Sequence, residues 1–149
     1  MNFFSQNSPT WKEVKIGRSP WTLGSKGCTT TCVSDASSYF WEEKTPDKLA
    51  QKGLTYTLDG LLLWSSIGRV FKKFEFEWRF YSYDKKRIDS AYKDPNKVVL
   101  LNVSQGSHWV FLVGRHIPFL GYKISDPFPF PAKTYYRNDI IGGAILKRK

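Results

Sequence analysis

Gly27-Cys28-Thr29-Thr30-Thr31-Cys32-Val33-Ser34-Asp35-Ala36-Ser37-Ser38-Tyr39-Phe40-Trp41 is the stretch from which the rest of the chain is best read. Cys32, Ala36, Tyr39 and Phe40 fall at helical spacing, which predicts a helix from about Thr29 to about Glu42, with Thr and Ser able to cap its start. Thr and Ser are weak helix formers, so burial has to supply the stability. Cys28 stands at the N-terminal end, where unpaired backbone N–H groups and the positive end of the helix dipole favour a thiolate. Cys32 lies one turn further on and is expected to face the core. Two cysteines four apart on one helix point along it in parallel, a poor start for a disulfide.

Ahead of this stretch, Gly17, Pro20 and Gly24 mark an irregular lead-in with room for one short strand. Behind it, Pro46-Asp47-Lys48-Leu49-Ala50-Gln51-Lys52 reads as a second short helix that Gly53 closes, and Leu61 to Ile67 as a third. The period then changes to two. Phe74, Phe76, Trp78 and Phe80 alternate with Glu75, Glu77, Arg79 and Tyr81, the pattern of a half-buried strand, with the glutamates on its solvated face. A helix or turn around Lys86 to Tyr92 leads to Val98–Val103, an apolar run suited to a central strand. Trp109–Gly114, Tyr122–Asp126 and Ile140–Leu146 complete the strands. Helices first and strands later give an α+β domain over residues 1–149, a helix packed on an antiparallel sheet.

A chain of 149 residues with 17% aromatics is long and apolar enough to bury a core, which excludes a disordered or collagen-like polymer. No apolar run approaches the ~18–20 residues of a membrane-spanning helix. Met1-Asn2-Phe3-Phe4-Ser5-Gln6 lacks the basic and apolar regions of a secretory signal, so synthesis in a cytoplasm is expected, with another route to any virion or cell-wall destination. The formal charge of +10 favours contact with anionic polymers, or serves only to keep the surface solvated. Nucleic-acid binding ranks last, because the alternating aromatics of residues 74–80 read as core rather than as a stacking platform. Gly142-Gly143 lacks the Lys and Ser/Thr of a nucleotide cradle, and no cofactor is implied.

A thiolate nucleophile needs an imidazole in reach and an acceptor to orient that imidazole. The histidines are His108 and His116. If Trp109–Gly114 and Tyr122–Asp126 form a hairpin centred at residue 117, His108 faces Asp126, and directly opposed residues share a sheet face. Pro127 then ends the strand and leaves the carboxylate at the sheet rim. Each residue also has an ordinary explanation: Cys28 as a small hydrophobe, His108 as a surface residue, Asp126-Pro127 as a turn. A zinc site from Cys28, Cys32, His108 and His116 is disfavoured, since the hairpin puts the two histidines at opposite ends of one strand.

Cys28, His108 and Asp126, in that order on a helix start and two strands, match the papain-like arrangement. Trp11-Lys12-Glu13-Val14-Lys15-Ile16-Gly17, Trp21 through Cys32, His108-Trp109-Val110 and Ile124-Ser125-Asp126-Pro127 resemble the peptidase domain related to bacteriocin-processing (double-glycine leader) cysteine peptidases, in its stand-alone phage and bacterial form. Thr45-Pro46-Asp47-Lys48-Leu49 and Gly60-Leu61-Leu62-Leu63-Trp64 resemble the middle of those chains. The resemblance implies a papain-like fold, with Cys28 as nucleophile, His108 as general base and then acid, and Asp126 as its orienter. The pattern departs at the oxyanion hole. Papain-like enzymes usually carry a Gln about six residues before the nucleophile, where this chain has Thr22. The Cys28 backbone N–H can give one donor, with Thr22 or Ser25 as candidates for another and Gln105 as a weaker one. A lost donor costs on the order of 100–1000-fold in rate.

The expected function is therefore hydrolysis of a peptide or amide bond through a thioester, with a peptidoglycan cross-link as a plausible substrate for a phage lysin or virion-associated hydrolase. The rival expectation is a non-catalytic virion structural or binding protein that keeps the fold and holds its partners through a basic, aromatic-rich surface.

Overall fold

The computed structural model describes residues 1–128 and 133–149. Among the described residues, five α-helices and a six-stranded antiparallel sheet make a mixed α+β fold. The helices are α1 (Leu23–Lys26), α2 (Cys28–Tyr39), α3 (Pro46–Lys48), α4 (Ile67–Val70) and α5 (Lys85–Lys93). The strands are β1 (Phe74–Phe80), β2 (Lys97–Val103), β3 (His108–Ile117), β4 (Gly121–Asp126), β5 (Lys133–Arg137) and β6 (Ile140–Arg148), ordered β1-β6-β2-β3-β4-β5. No described helix is long and apolar enough to cross a membrane.

Two apolar layers clothe the sheet. On one face Cys32, Val33 and Ala36 of α2, with Phe40 just past its end, pack with Phe74, Val98, Leu100, Phe111 and Leu146. On the other, Ile88 and Ala91 of α5 pack with Val99, Leu101, Val110, Leu112, Ile124 and Ile145. Strand β2 alternates between the two layers, which is why it reads as continuously apolar. Helix α2 is buried almost all round despite its Thr and Ser content. Its hydroxyls make that possible by bonding carbonyls: Thr31 Oγ1 donates to Gly27 O at 2.7 Å and Ser37 Oγ to Ser34 O at 2.7 Å, while Ser34 Oγ donates to Lys44 O.

Three expectations from the sequence need correction. Helix α2 begins at Cys28 and ends at Tyr39, short of Glu42, because Trp41 turns into the left-handed region at φ 62°. Leu61–Leu63 is not helical: Gly60 turns at φ 79°, Tyr56 bridges Leu62, and a 3₁₀ turn over Trp64–Ser66 precedes α4. The aromatics of β1 do not share one face. Partners step from Phe76↔Leu146 to Trp78↔Ile145, so Glu77 is an extra, bulged residue. Phe74 and Phe76 thus join the α2 layer and Phe80 the α5 layer, while Trp78 stays half-exposed. Glu75 and Glu77 pair with Lys147 and Lys97, at 3.8 and 3.0 Å.

Candidate functional site

Gly27 closes α1 and opens α2 at once: its N–H donates to Leu23 O at 2.8 Å, and Thr31 N donates to its carbonyl at 2.9 Å. A β-carbon on Gly27 would meet Leu23 O at 2.4 Å and Leu23 Cα at 2.7 Å, so only glycine lets the two helices join this tightly. That junction fixes Cys28 as the first residue of a twelve-residue helix. The N–H groups of Cys28, Thr29 and Thr30 have no acceptor within the helix.

The imidazole comes from the other side. Ser104, Gln105 and Gly106 all adopt positive φ (52°, 59° and 92°) immediately ahead of β3. The Asp139 carboxylate holds this unusual turn by accepting from Ser104 N at 3.1 Å and from the Arg137 side chain, which also donates to Ser104 Oγ at 2.8 Å. His108 then begins β3, and Nε2 meets Asp126 Oδ1 at 2.7 Å. The same Asp126 oxygen accepts from Phe128 N at 2.9 Å, so the carboxylate is anchored as well as paired.

The register behind this pair differs from the expected one. Phe111 opposes Ser125 and Leu112 opposes Ile124, which puts Asp126 level with Val110 rather than with His108. The displacement is two residues. Because side chains alternate with period two, the face is preserved and the imidazole spans the diagonal. At the far end of the strand His116 meets Tyr122 edge to face, 5.0 Å between ring centres, away from the thiol.

Cys28 and His108 line one cleft of about 660 Å³, with Gln6, Tyr56, Leu62 and Trp109 among its walls. Burial works against a charged His108, but its hydrogen bonds to Asp126 and Cys28, together with their charges, outweigh it and hold the imidazole up to about 9. With Nε2 committed to Asp126, Nδ1 is the nitrogen left for the thiol. Cys32, one turn along, is fully buried in the core, and burial pushes its thiol well up. Both cysteines are free.

The oxyanion candidates fare unevenly. Thr22 and Ser25 cap α1 reciprocally: Ser25 N donates to Thr22 Oγ1 at 3.3 Å and Thr22 N to Ser25 Oγ at 3.0 Å. Ser25 lines the cleft and Thr22 does not. Gln105 also stays outside the cleft wall, although its neighbours Gly106 and Ser107 form part of it. The sequence reading missed Gln6. The first residues run along α2, where Phe4 N donates to Asp35 Oδ1 at 2.8 Å, and on to β4, where Gln6 N donates to Pro127 O at 2.9 Å. This brings the Gln6 side chain into the cleft, 22 positions upstream of Cys28 rather than six. Its Nε2 donates to Leu23 O and Gly24 O, both at 3.2 Å, which braces the turn carrying Cys28. No local pattern around Gln6 signals this, since the contact depends on the path of the whole N-terminal segment.

No protein-family model matches the chain, and no curated protein or solved structure is similar enough to it to count as a match.

Proposed function

We propose that the protein is a papain-like cysteine hydrolase that cleaves a peptide or amide bond with Cys28, His108 and Asp126. The observation that carries this reading is the 2.7 Å His108–Asp126 contact in a cleft that also receives Cys28 from a helix start. A His108 kept protonated into the alkaline range is the cation that a thiolate needs beside it and the acid that a leaving amine needs. The Cys28 sulfur attacks the substrate carbonyl to form a C–S bond. His108 passes its proton to the amine as the C–N bond breaks. Water, deprotonated by the returning imidazole, then cleaves the thioester to release the acid and restore the thiol. The Cys28 N–H supplies one donor to the oxyanion, and Ser25 on the wall is the nearest sequence candidate for a second. Cell-wall peptides are the substrate class that the phage and bacterial resemblance suggests.

A non-catalytic binding role on the same fold is favoured by one observation: both hydrogens of the Gln6 amide are engaged by carbonyls, leaving none for an oxyanion. One experiment separates the two readings. Iodoacetamide alkylation of Cys28 is followed from about pH 4 to pH 9 in a Cys32→Ala background, with and without His108→Gln. Rapid labelling near pH 6 that His108→Gln abolishes supports the hydrolase. Labelling that rises only around the ordinary thiol value of about 8.5, alike in both proteins, overturns it.

A further inference from the structure

Away from the cleft, a second concavity of about 750 Å³ opens between α3, its π-helical continuation Leu49–Gly53 and α4. Lys44, Lys48, Lys52 and Arg69 line it, with Thr55 and Ser66 among them. Lys48 and Lys52, four residues apart on one helical run, lie on the same side of it. Lys44 comes from the loop ahead of α3 and Arg69 from α4. No carboxylate lines the wall. Among the described residues none of these four cations forms an ion pair.

The acids closest in sequence stand off the wall, although the Lys44 charge acts on Glu42. Glu42 accepts from the backbone N–H of Lys72 and Lys73 at 2.9 Å, Glu43 accepts from Asn2 Nδ2 at 2.6 Å, and Asp47 does not reach the lining. The α5 surface is built differently. There Lys85 pairs with Asp89 at 2.6 Å and Arg87 with Asp84 at 3.4 Å, and Lys97 on β2 pairs with Glu77. Unpaired cations stand elsewhere on the surface too, but in this hollow four of them line one concavity with no carboxylate among them.

Four like charges around a concavity repel one another, and an anion seated among them relieves that repulsion. The Arg69 guanidinium offers a planar fork that fits a phosphate, and the three ammonium groups offer point charges for its remaining oxygens. No aromatic side chain lines the hollow, so a nucleobase finds no stacking platform there. We propose that this hollow binds a compact oligophosphate, two or three linked phosphate groups held by Lys44, Lys48, Lys52 and Arg69. The site is independent of the Cys28 chemistry.

The test is isothermal titration of the full chain with sodium tripolyphosphate, ATP and inorganic phosphate at one ionic strength. Tripolyphosphate is expected to bind at least about tenfold more tightly than inorganic phosphate. The double variant Lys48→Gln, Arg69→Gln is expected to weaken it at least about tenfold, since each lost contact is a charge-assisted hydrogen bond. Lys86→Gln, Lys93→Gln on exposed α5 removes the same charge and is expected to leave binding within about twofold. Thermal melting verifies that both variants are folded. ATP binding no more tightly than tripolyphosphate supports the phosphate chain alone as ligand, and tighter ATP binding supports a nucleotide as its source. Equal weakening by the two double variants, or no preference over inorganic phosphate, overturns the site.

Discussion

The His108–Asp126 contact makes a quantitative demand on stability as a function of pH. The native state holds His108 at about 9 against an ordinary value of 6.5, so the folded protein binds this proton more tightly than the unfolded chain does. The resulting stabilisation is complete below about pH 6.5 and is lost as the pH rises through about 9. At about 1.4 kcal/mol for each pH unit of displacement, it amounts to at most about 3.4 kcal/mol. The His108 side chain remains 20% open to solvent, and screening there reduces the expectation to about 2 kcal/mol. His108→Gln keeps a donor toward Asp126 but removes the titration. Urea unfolding of both proteins at about pH 6 and pH 10, each in a Cys28→Ser background so that no thiol titrates beside the imidazole, isolates the effect, because lysine and tyrosine titrations cancel in the difference. The protein that keeps His108 should lose about 2 kcal/mol more than the variant over that interval. Parallel pH profiles would show that the proton is not held by this pair, and the electrostatic basis of the proposed mechanism would fail with it.

Four further outcomes are expected. Asp126→Asn should slow Cys28 alkylation near pH 6 by about 10–100-fold, as is usual when the group orienting a functional histidine is removed, with far-ultraviolet circular dichroism unchanged. Gly27→Ala should destabilise the fold by roughly 1–3 kcal/mol in urea titrations, because the new methyl group collides with the Leu23 backbone; an unchanged midpoint would show that the α1–α2 junction yields easily. Gln6→Ala removes two hydrogen bonds that brace the same junction and should cost about 1–3 kcal/mol, again read from urea midpoints. Asp139, which Arg137 holds down at about 2, stabilises the Ser104–Gly106 turn above about pH 4 and loses that effect as the pH falls through 2. Asp139→Asn should therefore flatten the acid limb of the stability curve between pH 4 and 2.

The helix start at Cys28 was legible because glycine, cysteine and the following apolar positions are local signals. The His108–Asp126 pairing was legible for a different reason: it depends on parity. The assumed hairpin centre was displaced because β3 runs on to Ile117, opposite Gly121, and residues 113–115 then oppose Lys123 alone, a bulge that brings the register part of the way back and that no composition rule announces. Two extra residues return each side chain to its original face, so the pairing held where a single one would have reversed it. The β1 bulge at Glu77 shows that other case, and there the inference of one aromatic face failed. Strand β5 was missed because a five-residue run behind Pro127, Pro129 and Pro131 carries more turn signal than strand signal. Leu61–Leu63 read as helix because leucine is a good helix former, yet the Gly60 turn and the Tyr56↔Leu62 bridge took precedence.

Cys28 and Cys32, one turn apart on α2, are both buried, but Cys28 keeps 9% exposure at the cleft wall while Cys32 has none. The molecule therefore carries two chemical clocks on a single rod. Accelerated labelling of Cys28 requires α2 to have met a β3 that lies some eighty positions away in sequence, so during refolding it times the arrival of long-range order. Labelling of Cys32 requires the α2 layer to part from the sheet, so under native conditions it samples the rare excursions that expose the interior. Mass spectrometry of the two peptides from one quenched sample would read assembly and opening of the same interface side by side, without any foreign probe.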